Sequence, residues 1–302
     1  MSTTIQKHIF KQDNSSLFLG VNSENDLISD NELYMLLNYD NHLYDVAILE
    51  RDILQVNLKL KKEGKKLIFS SEDVLISPML DRVAERLATI FPDPEILLII
   101  RNQDSAIRSF YKSHGAFNRP SARPYFKRHL TPTEWWSHNI SKEFRMTGPI
   151  HSFDYKLVIN TFKKFINEEK IHLLVFEEFL ENPLIFCEKF AKVSGIDQDL
   201  IFTSLSKKHE NRSVSKNRVF LNMLTSRFLG FSSEYIIRYT NGHKRALMEM
   251  IMKIVPNVGV GLDFFNSEEF QEQLCDLYSE GNVWLDKEFD LKLERFGYVG
   301  CV

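Results

Sequence analysis

Three side chains have the types and spacing needed to bind a phosphate and to accept a proton: Arg101, Ser109 and Glu72. Arg101 follows Glu95 to Ile100, a short apolar run typical of a strand buried on both faces of a parallel sheet. The carboxyl ends of such strands form the edge at which open α/β sheets bind ligands. An arginine near a hydroxyl suits a phosphate dianion. An arginine that extends into solvent and a solvated serine explain the same residues equally well.

The residues after Arg101 predict a helix that carries Ser109. Asp104 is a suitable N-cap, and Ile107 and Phe110 mark the buried side. Ser109 then falls in the second helical turn, and we expect it on the same edge as Arg101.

Glu72 follows a second predicted strand, Leu67 to Ser70. Beyond it, Ser77 is the expected N-cap and Pro78 the first residue of a helix that leads to the strand before Arg101. The order strand, helix, strand predicts a right-handed βαβ crossover, which brings Glu72 to the edge of Arg101. A carboxylate there could take the proton of an acceptor hydroxyl. A glutamate that only solvates a strand end is the equally weighted alternative.

The residues Arg101-Asn102-Gln103, followed by Ser109 and Tyr111, resemble the 3′-phosphate-binding motif of sulfotransferases that use 3′-phosphoadenosine 5′-phosphosulfate (PAPS). The resemblance implies that Arg101 and Ser109 hold the 3′-phosphate of PAPS. It also implies that Glu72 is the base, as in related carbohydrate sulfotransferases. The run from His172 to Ile196 and the carboxyl-terminal residues around Trp284 and Tyr298 are similar to later parts of that family. Within this run we interpret Glu177 as structural, and we expect Asn182-Pro183 to open a helix that closes at Gly195. Before the run, Asp154 is the expected N-cap of a helix with Tyr155, Val158, Phe162 and Phe165 on its buried side.

The amino terminus departs from the family. Its phosphosulfate loop has the form strand, Lys-x-Gly-Thr-Thr, helix, and only Thr3, Thr4, Ile5 and Gln6 resemble it here, as cofactor-binding residues. The preceding strand and the lysine, which neutralises charge on the leaving oxygen, have no counterpart before Thr3. We expect either that the polypeptide begins upstream of Met1 or that the chain is a degraded member. Residues 11–45 are interpreted as a connecting loop and a helix, and residues 46–60 as a helix.

Two further segments are candidates for binding. Between residues 112 and 149, Arg119, Arg123, Trp135 and Trp136 suit a sugar or an anionic acceptor by ion pairing and stacking. The alternative places the tryptophans in the core and the cations on the surface. In the basic segment 207–218, the resemblance implies that Lys216 and Arg218 cover the cofactor, whereas a solvated loop is the alternative.

The composition limits the class of protein. The 302 residues, 43% of them hydrophobic, suffice for one large domain, and the net charge of −3 argues against binding to nucleic acid or membrane by bulk charge, although local patches stay possible. Three distant cysteines predict neither a disulfide framework nor a metal site. No transmembrane segment or signal pattern is apparent, which predicts a cytoplasmic protein.

Together these features predict a single α/β domain over residues 1–302. We expect a three-layer P-loop-type parallel sheet flanked by helices, with a helical carboxyl-terminal part. The predicted function is transfer of the sulfuryl group from PAPS to a hydroxyl of a saccharide or glycolipid acceptor, without a metal. The alternative is a catalytically impaired remnant that binds nucleotide. A kinase or NTPase is weaker, because no Gly-x-x-x-x-Gly-Lys-Ser/Thr sequence occurs.

Overall fold

The computed structural model describes residues 5–20, 32, 35–37, 46–114, 130–141, 149–207 and 261–301. The chain divides into two compact units, each assembled from separate segments. The first unit contains residues 1–102, 146–211 and 280–302, and the second contains 103–145 and 212–279. The single-domain organisation stays a prediction.

The first unit contains every strand that the structure describes. It begins with a π-helix at Ile5–Phe10. The strands are β1 (Ser16–Gly20), β2 (Lys66–Ser70), β3 (Ile96–Ile100) and β4 (Ile171–Val175). Its α-helices are α1 (Val46–Lys62), α2 (Asp73–Ile76), α3 (Leu80–Ile90), α6 (Tyr155–Lys163), α7 (Phe176–Glu181), α8 (Pro183–Ser194) and α9 (Gln198–Lys207). Short 3₁₀ turns lie at Pro149–Phe153, Glu168–Lys170 and Leu293–Phe296.

The described part of the second unit is helical. It contains α4 (Gln103–His114), α5 (Pro132–Ile140) and a 3₁₀ turn at Leu262–Asn266. The long helix α10 (Glu268–Phe289) begins in this unit, and its last residues belong to the first.

The strands form two parallel pairs. β1 pairs with β2 from Ser16 opposite Lys66 to Gly20 opposite Ser70. β3 pairs with β4 from Ile96 opposite Ile171 to Ile100 opposite Val175. Among the described strands no hydrogen-bonded ladder joins the two pairs. The protein is therefore mixed α/β and mostly helical, with small parallel sheets.

Both faces of the strands are covered by apolar side chains, as expected for parallel sheets. Alternate residues of all four strands point to a first hydrophobic cluster, which also contains residues of α1, α3 and α6; its strand members are Leu19, Leu67, Phe69, Ile96, Leu98, Ile100, Ile171, Leu173 and Val175. The intervening residues enter a second cluster with the π-helix, α8 and α9; these are Phe18, Ile68, Leu97, Ile99 and Leu174. The same two clusters thus serve both strand pairs.

Most predicted elements are confirmed. The apolar run before Arg101 is β3, and the strand predicted before Glu72 is β2. The Asn182-Pro183 start of α8 is a cap in which Asn182 Oδ1 accepts from the Ile185 N–H at 3.3 Å. The helix ends at Gly195, whose φ of 72° lies in the left-handed region that glycine adopts without strain.

Four local predictions are wrong. Residues 16–20, placed in a connecting loop, form strand β1. Ser77 does not begin a helix: α3 starts at Leu80, and the Ser77 hydroxyl donates to the Leu37 carbonyl at 2.6 Å. Asp104 lies inside α4, where its carboxylate accepts from Arg108 Nε at 2.7 Å. Phe165 is exposed because α6 ends two residues before it.

Candidate functional site

The carboxyl ends of β3 and β4 place Arg101 beside Phe176. Ile100 and Val175 are partners in the parallel register, so the residues that follow them leave the sheet side by side. The Arg101 guanidinium carbon lies 5.1 Å from the centre of the Phe176 ring. This contact restricts a side chain that otherwise has many rotamers, and a guanidinium is a group suited to planar, bidentate interactions.

Tyr155 holds the backbone of Arg101 from both sides. Its hydroxyl donates to the Arg101 carbonyl at 2.6 Å and accepts from the Arg101 N–H at 3.1 Å. Tyr155 is the first residue of α6, whose N-cap Asp154 accepts from the Leu157 N–H at 3.1 Å. Burial raises the pKa of the Tyr155 phenol above its ordinary value, and the neighbouring Glu177 charge adds to this. The hydroxyl therefore stays protonated and able to donate.

Glu177 connects the ends of the two strands to the carboxyl-terminal residues. Its Oε1 accepts from the Asn102 N–H at 3.1 Å, and its Oε2 accepts from the Tyr298 hydroxyl at 3.2 Å. Tyr298 is buried, and burial, followed by Tyr155 and Glu177, raises the pKa of its phenol. Glu177 thus has the structural role predicted for it: it fixes the residue next to Arg101.

The Asn102 side chain completes this edge. Its amide donates to the Phe296 carbonyl at 3.3 Å and to the Gly297 carbonyl at 2.8 Å. Gly297 has a φ of 70° and ends the last 3₁₀ turn. We call the set Arg101, Asn102, Tyr155, Phe176, Glu177 and Tyr298 the arginine edge. Four distant segments of the first unit meet there.

The end of β2 is built differently. The buried side chain of Gln6 donates to Ser70 Oγ at 3.2 Å and approaches the Ser70 carbonyl at 3.5 Å. Glu72 lies two residues beyond the strand, at the N-cap position of α2, and its exposed carboxylate makes no capping hydrogen bond. A solvated carboxylate at a strand end is a competent proton acceptor but is not fixed in one geometry.

Ser109, another predicted site residue, lies on α4 in the second unit. The remaining polar predictions fall outside the described residues: Thr3, Thr4, Arg119, Arg123, Lys216 and Arg218.

The tryptophan pair lies in the core of the second unit. Trp135 and Trp136 are 3% and 0% exposed. The Trp136 indole donates to Gln273 Oε1 at 2.6 Å and packs edge-on against Phe270, with ring centroids 4.8 Å apart. Trp135 packs against Tyr111 in the same manner. These contacts support the core alternative, because a sugar cannot stack on a ring that is fully covered.

Sequence reasoning missed the two tyrosines of the arginine edge. Tyr155 was assigned only to the buried side of its helix, and Tyr298 only to a carboxyl-terminal resemblance. The available signal was the polar tip of an otherwise buried aromatic residue, because a buried phenol requires a hydrogen-bond partner.

The site is thus a fixed arginine at a strand end, with an exposed carboxylate after another strand of the same unit. Within the described ranges no group of three His, Cys, Asp or Glu side chains is arranged to bind a metal ion. The helices of those ranges include none with the length and apolar character that crossing a membrane requires. Comparisons of the chain with protein-family models, curated proteins and solved structures found no match.

Proposed function

We propose that the protein binds PAPS with the arginine edge and transfers its sulfuryl group to a hydroxyl of a saccharide or glycolipid. The observation that carries the proposal is the position of Arg101, stacked on Phe176 at the carboxyl end of a parallel strand pair. A phosphate oxyanion bound there would meet the guanidinium of Arg101, a residue whose backbone is held by Tyr155 and whose neighbour Asn102 is held by Glu177. Such preorganisation reduces the entropy lost on binding.

The proposed architecture is a three-layer α/β/α sandwich of the P-loop type. Its support is that both strand pairs contribute to the same two hydrophobic clusters, with helices on each side. In that arrangement β2 and β3 end on one edge, and Glu72 shares it with Arg101. Ser109 stays a prediction from the resemblance.

The residues fit one end of PAPS. Arg101 would hold the 3′-phosphate. In the transfer, a bond forms between the acceptor oxygen and sulfur, the bond from sulfur to the phosphate oxygen breaks, and adenosine 3′,5′-bisphosphate leaves. Glu72 would accept the hydroxyl proton. Because Glu72 is exposed, its carboxylate can reach the hydroxyl of an acceptor. Water must leave the carboxylate when the acceptor binds, before the proton is transferred.

A second candidate function is nucleotide binding without transfer, and β1 favours it. Helical residues at 35–37 follow the strand in the chain, and a strand before a helix is the order of elements that flanks a phosphosulfate loop. The sequence from Gln12 to Glu50 contains no lysine or arginine. It contains eight acidic residues: Asp13, Glu24, Asp26, Asp30, Glu32, Asp40, Asp45 and Glu50. Such a segment would repel a 5′-phosphosulfate that the family binds with lysine.

Calorimetry with two nucleotides tests the shared binding step. Arg101→Ala should weaken adenosine 3′,5′-bisphosphate about tenfold or more and leave adenosine 5′-monophosphate nearly unchanged, because a charge-assisted contact to one phosphate is lost. Arg82→Ala, which removes an exposed arginine of the same unit, is the control. Equal losses for both nucleotides, or no bisphosphate binding by the wild type, would reject the site.

Turnover separates the two functions. Labelled PAPS with saccharide and glycolipid acceptors should give labelled product if the protein is an enzyme. Bisphosphate binding that depends on Arg101, without transfer or release of sulfate, would establish the second candidate instead.

A further inference from the structure

Helix α1 (Val46–Lys62) has two apolar sides, and among its described side chains those of one side are buried while those of the other are exposed. Leu49, Ile53 and Leu60 are buried in the first unit. Leu54 and Leu58 are 43% and 53% exposed. Because an α-helix repeats every 3.6 residues, these two leucines lie one turn apart on the face opposite the buried one.

Cations surround the exposed leucines. Helical spacing places Arg51 and Lys62 beside Leu58 on one side and Lys61 beside it on the other. Lys59 and Lys65 are exposed at the same end of the helix. We call the exposed leucines together with Arg51, Lys59, Lys61 and Lys62 the basic-apolar face.

The acidic groups nearby, which include Glu50 one turn before Leu54, cancel only part of this charge. Arg51 pairs with Asp52 at 3.2 Å and Lys65 with Glu63 at 3.4 Å. No ion pair joins Lys59, Lys61 or Lys62 to any residue that the structure describes. Residues 46–66 contain six basic and three acidic residues, a net charge of +3 in a chain whose total is −3.

We propose that the basic-apolar face docks on the surface of an anionic lipid bilayer. Exposed leucines are stabilised when they leave water, and lysines are stabilised near anionic headgroups. The surface of an anionic bilayer provides both environments at once. Nucleic acid would match the lysines but leave the leucines in water. The long lysine side chains also reach headgroups while their stems cover apolar surface.

This surface goes beyond the proposed function and does not depend on it. A glycolipid, one of the two acceptor classes proposed above, is presented at such a bilayer. The face itself contains no residue of the arginine edge, so docking and nucleotide binding can be measured separately.

A second exposed leucine pair provides a matched control. Leu180 and Leu184 are 63% and 56% exposed, more than the pair on α1. Their charged neighbours include Glu178, Glu181 and Glu188, and the basic residues Lys189 and Arg295 are paired with Glu178 and Glu181. Exposure alone would make this pair the better membrane contact, whereas the proposal gives it no role.

Co-sedimentation with vesicles of phosphatidylcholine, with and without phosphatidylglycerol, tests the proposal on the full chain. We expect binding only with phosphatidylglycerol, and a decrease as salt is added. Lys61→Gln/Lys62→Gln should lower the partition coefficient roughly 30-fold, since each basic residue near an anionic surface contributes about one factor of five or more. Leu54→Ser/Leu58→Ser should lower it roughly tenfold.

Leu180→Ser/Leu184→Ser and Lys164→Gln/Lys192→Gln should bind as the wild type does. An unchanged melting temperature must accompany each variant, and so must an unchanged adenosine 3′,5′-bisphosphate affinity if the wild type binds this nucleotide, so that loss of docking is not loss of fold. The proposal is overturned if the wild type does not bind anionic vesicles, if it binds neutral vesicles equally, or if the control pairs weaken binding as much as the α1 pairs. If the wild type binds anionic vesicles but not adenosine 3′,5′-bisphosphate, the proposed function is refuted and the docking surface is not.

Discussion

The two strand ends of the first unit differ in how firmly their polar residues are held. At the arginine edge, the backbone of Arg101 and Asn102 is fixed by Tyr155 and Glu177, and Tyr298 fixes Glu177 in turn. At the end of β2, Gln6 contacts Ser70, but Glu72 beyond it is exposed. The backbone at the arginine edge is thus held by side-chain hydrogen bonds, whereas the carboxylate beyond β2 is solvated. Under the proposed function, Glu72 would be positioned by the acceptor that binds there.

The largest expected effect is on turnover, through Glu72 beyond the end of β2. Glu72→Gln keeps the shape of the side chain but cannot accept a proton, so transfer from PAPS should fall by roughly 10²–10⁴. The free energy of unfolding should not change, because the carboxylate makes no cap and is exposed. Steady-state transfer and urea unfolding measure the two quantities.

Glu85→Gln, on the exposed side of α3, controls for a general loss of negative charge. If the wild type is active and folded Glu72→Gln turns over equally fast, Glu72 is not the general base.

The next effect is on stability at the rigid edge. Glu177→Ala leaves the Asn102 N–H and the Tyr298 hydroxyl without their acceptor, and should lower the free energy of unfolding by roughly 2–4 kcal/mol. Glu181→Ala on the same helix removes an exposed pair with Arg295 and should cost less than about 1 kcal/mol. Urea unfolding compares them; equal losses would mean that the edge is no more rigid than the surface.

The smallest effect is a dependence on alkaline pH. Tyr155 and Tyr298 have pKa values above the ordinary 10.0 in the folded protein, because burial opposes ionisation. Above about pH 10 the unfolded chain loses these protons and the folded chain does not, so the free energy of unfolding falls with rising pH. Each tyrosine contributes a slope of about 1.4 kcal/mol per pH unit, and the contribution is complete below pH 10.

Unfolding midpoints of the wild type and Tyr155→Phe between about pH 9 and 11 isolate this contribution. The other ionisable groups are the same in both proteins, so the difference between the two slopes belongs to Tyr155. Parallel slopes would contradict a protonated, buried phenol at the edge.

Helices and strands of this protein were predictable where the residues of a single segment determine their conformation. The apolar runs before Arg101 and Glu72, and the Asn182-Pro183 and Gly195 boundaries of α8, each follow from their own residues. β1 was missed because Ser16–Gly20 is short and set among polar residues, and its strand conformation depends on pairing with β2, 50 positions later.

The candidate site was predictable only in part. The strand-end positions of Arg101 and Glu72 follow from sequence order, because parallel strands end at their carboxyl residues. The contacts of Tyr155, Glu177 and Tyr298 do not, since no periodicity within a segment specifies which distant segment it meets. The role of Trp135 and Trp136 could not be predicted either, because tryptophan occurs both in sugar-binding sites and in hydrophobic cores. Their burial in the structure decides for the core.

The arginine edge also has a consequence for folding kinetics. Tyr155 bonds Arg101 across 54 residues, Glu177 bonds Asn102 across 75, and Tyr298 bonds Glu177 across 121. Each contact closes a long loop, so the chain must lose conformational entropy before the contact can stabilise the fold. The edge therefore forms late, after helices that depend on local contacts. A partly folded chain with native helix content would bind no nucleotide, so bisphosphate binding would report completion of the tertiary structure.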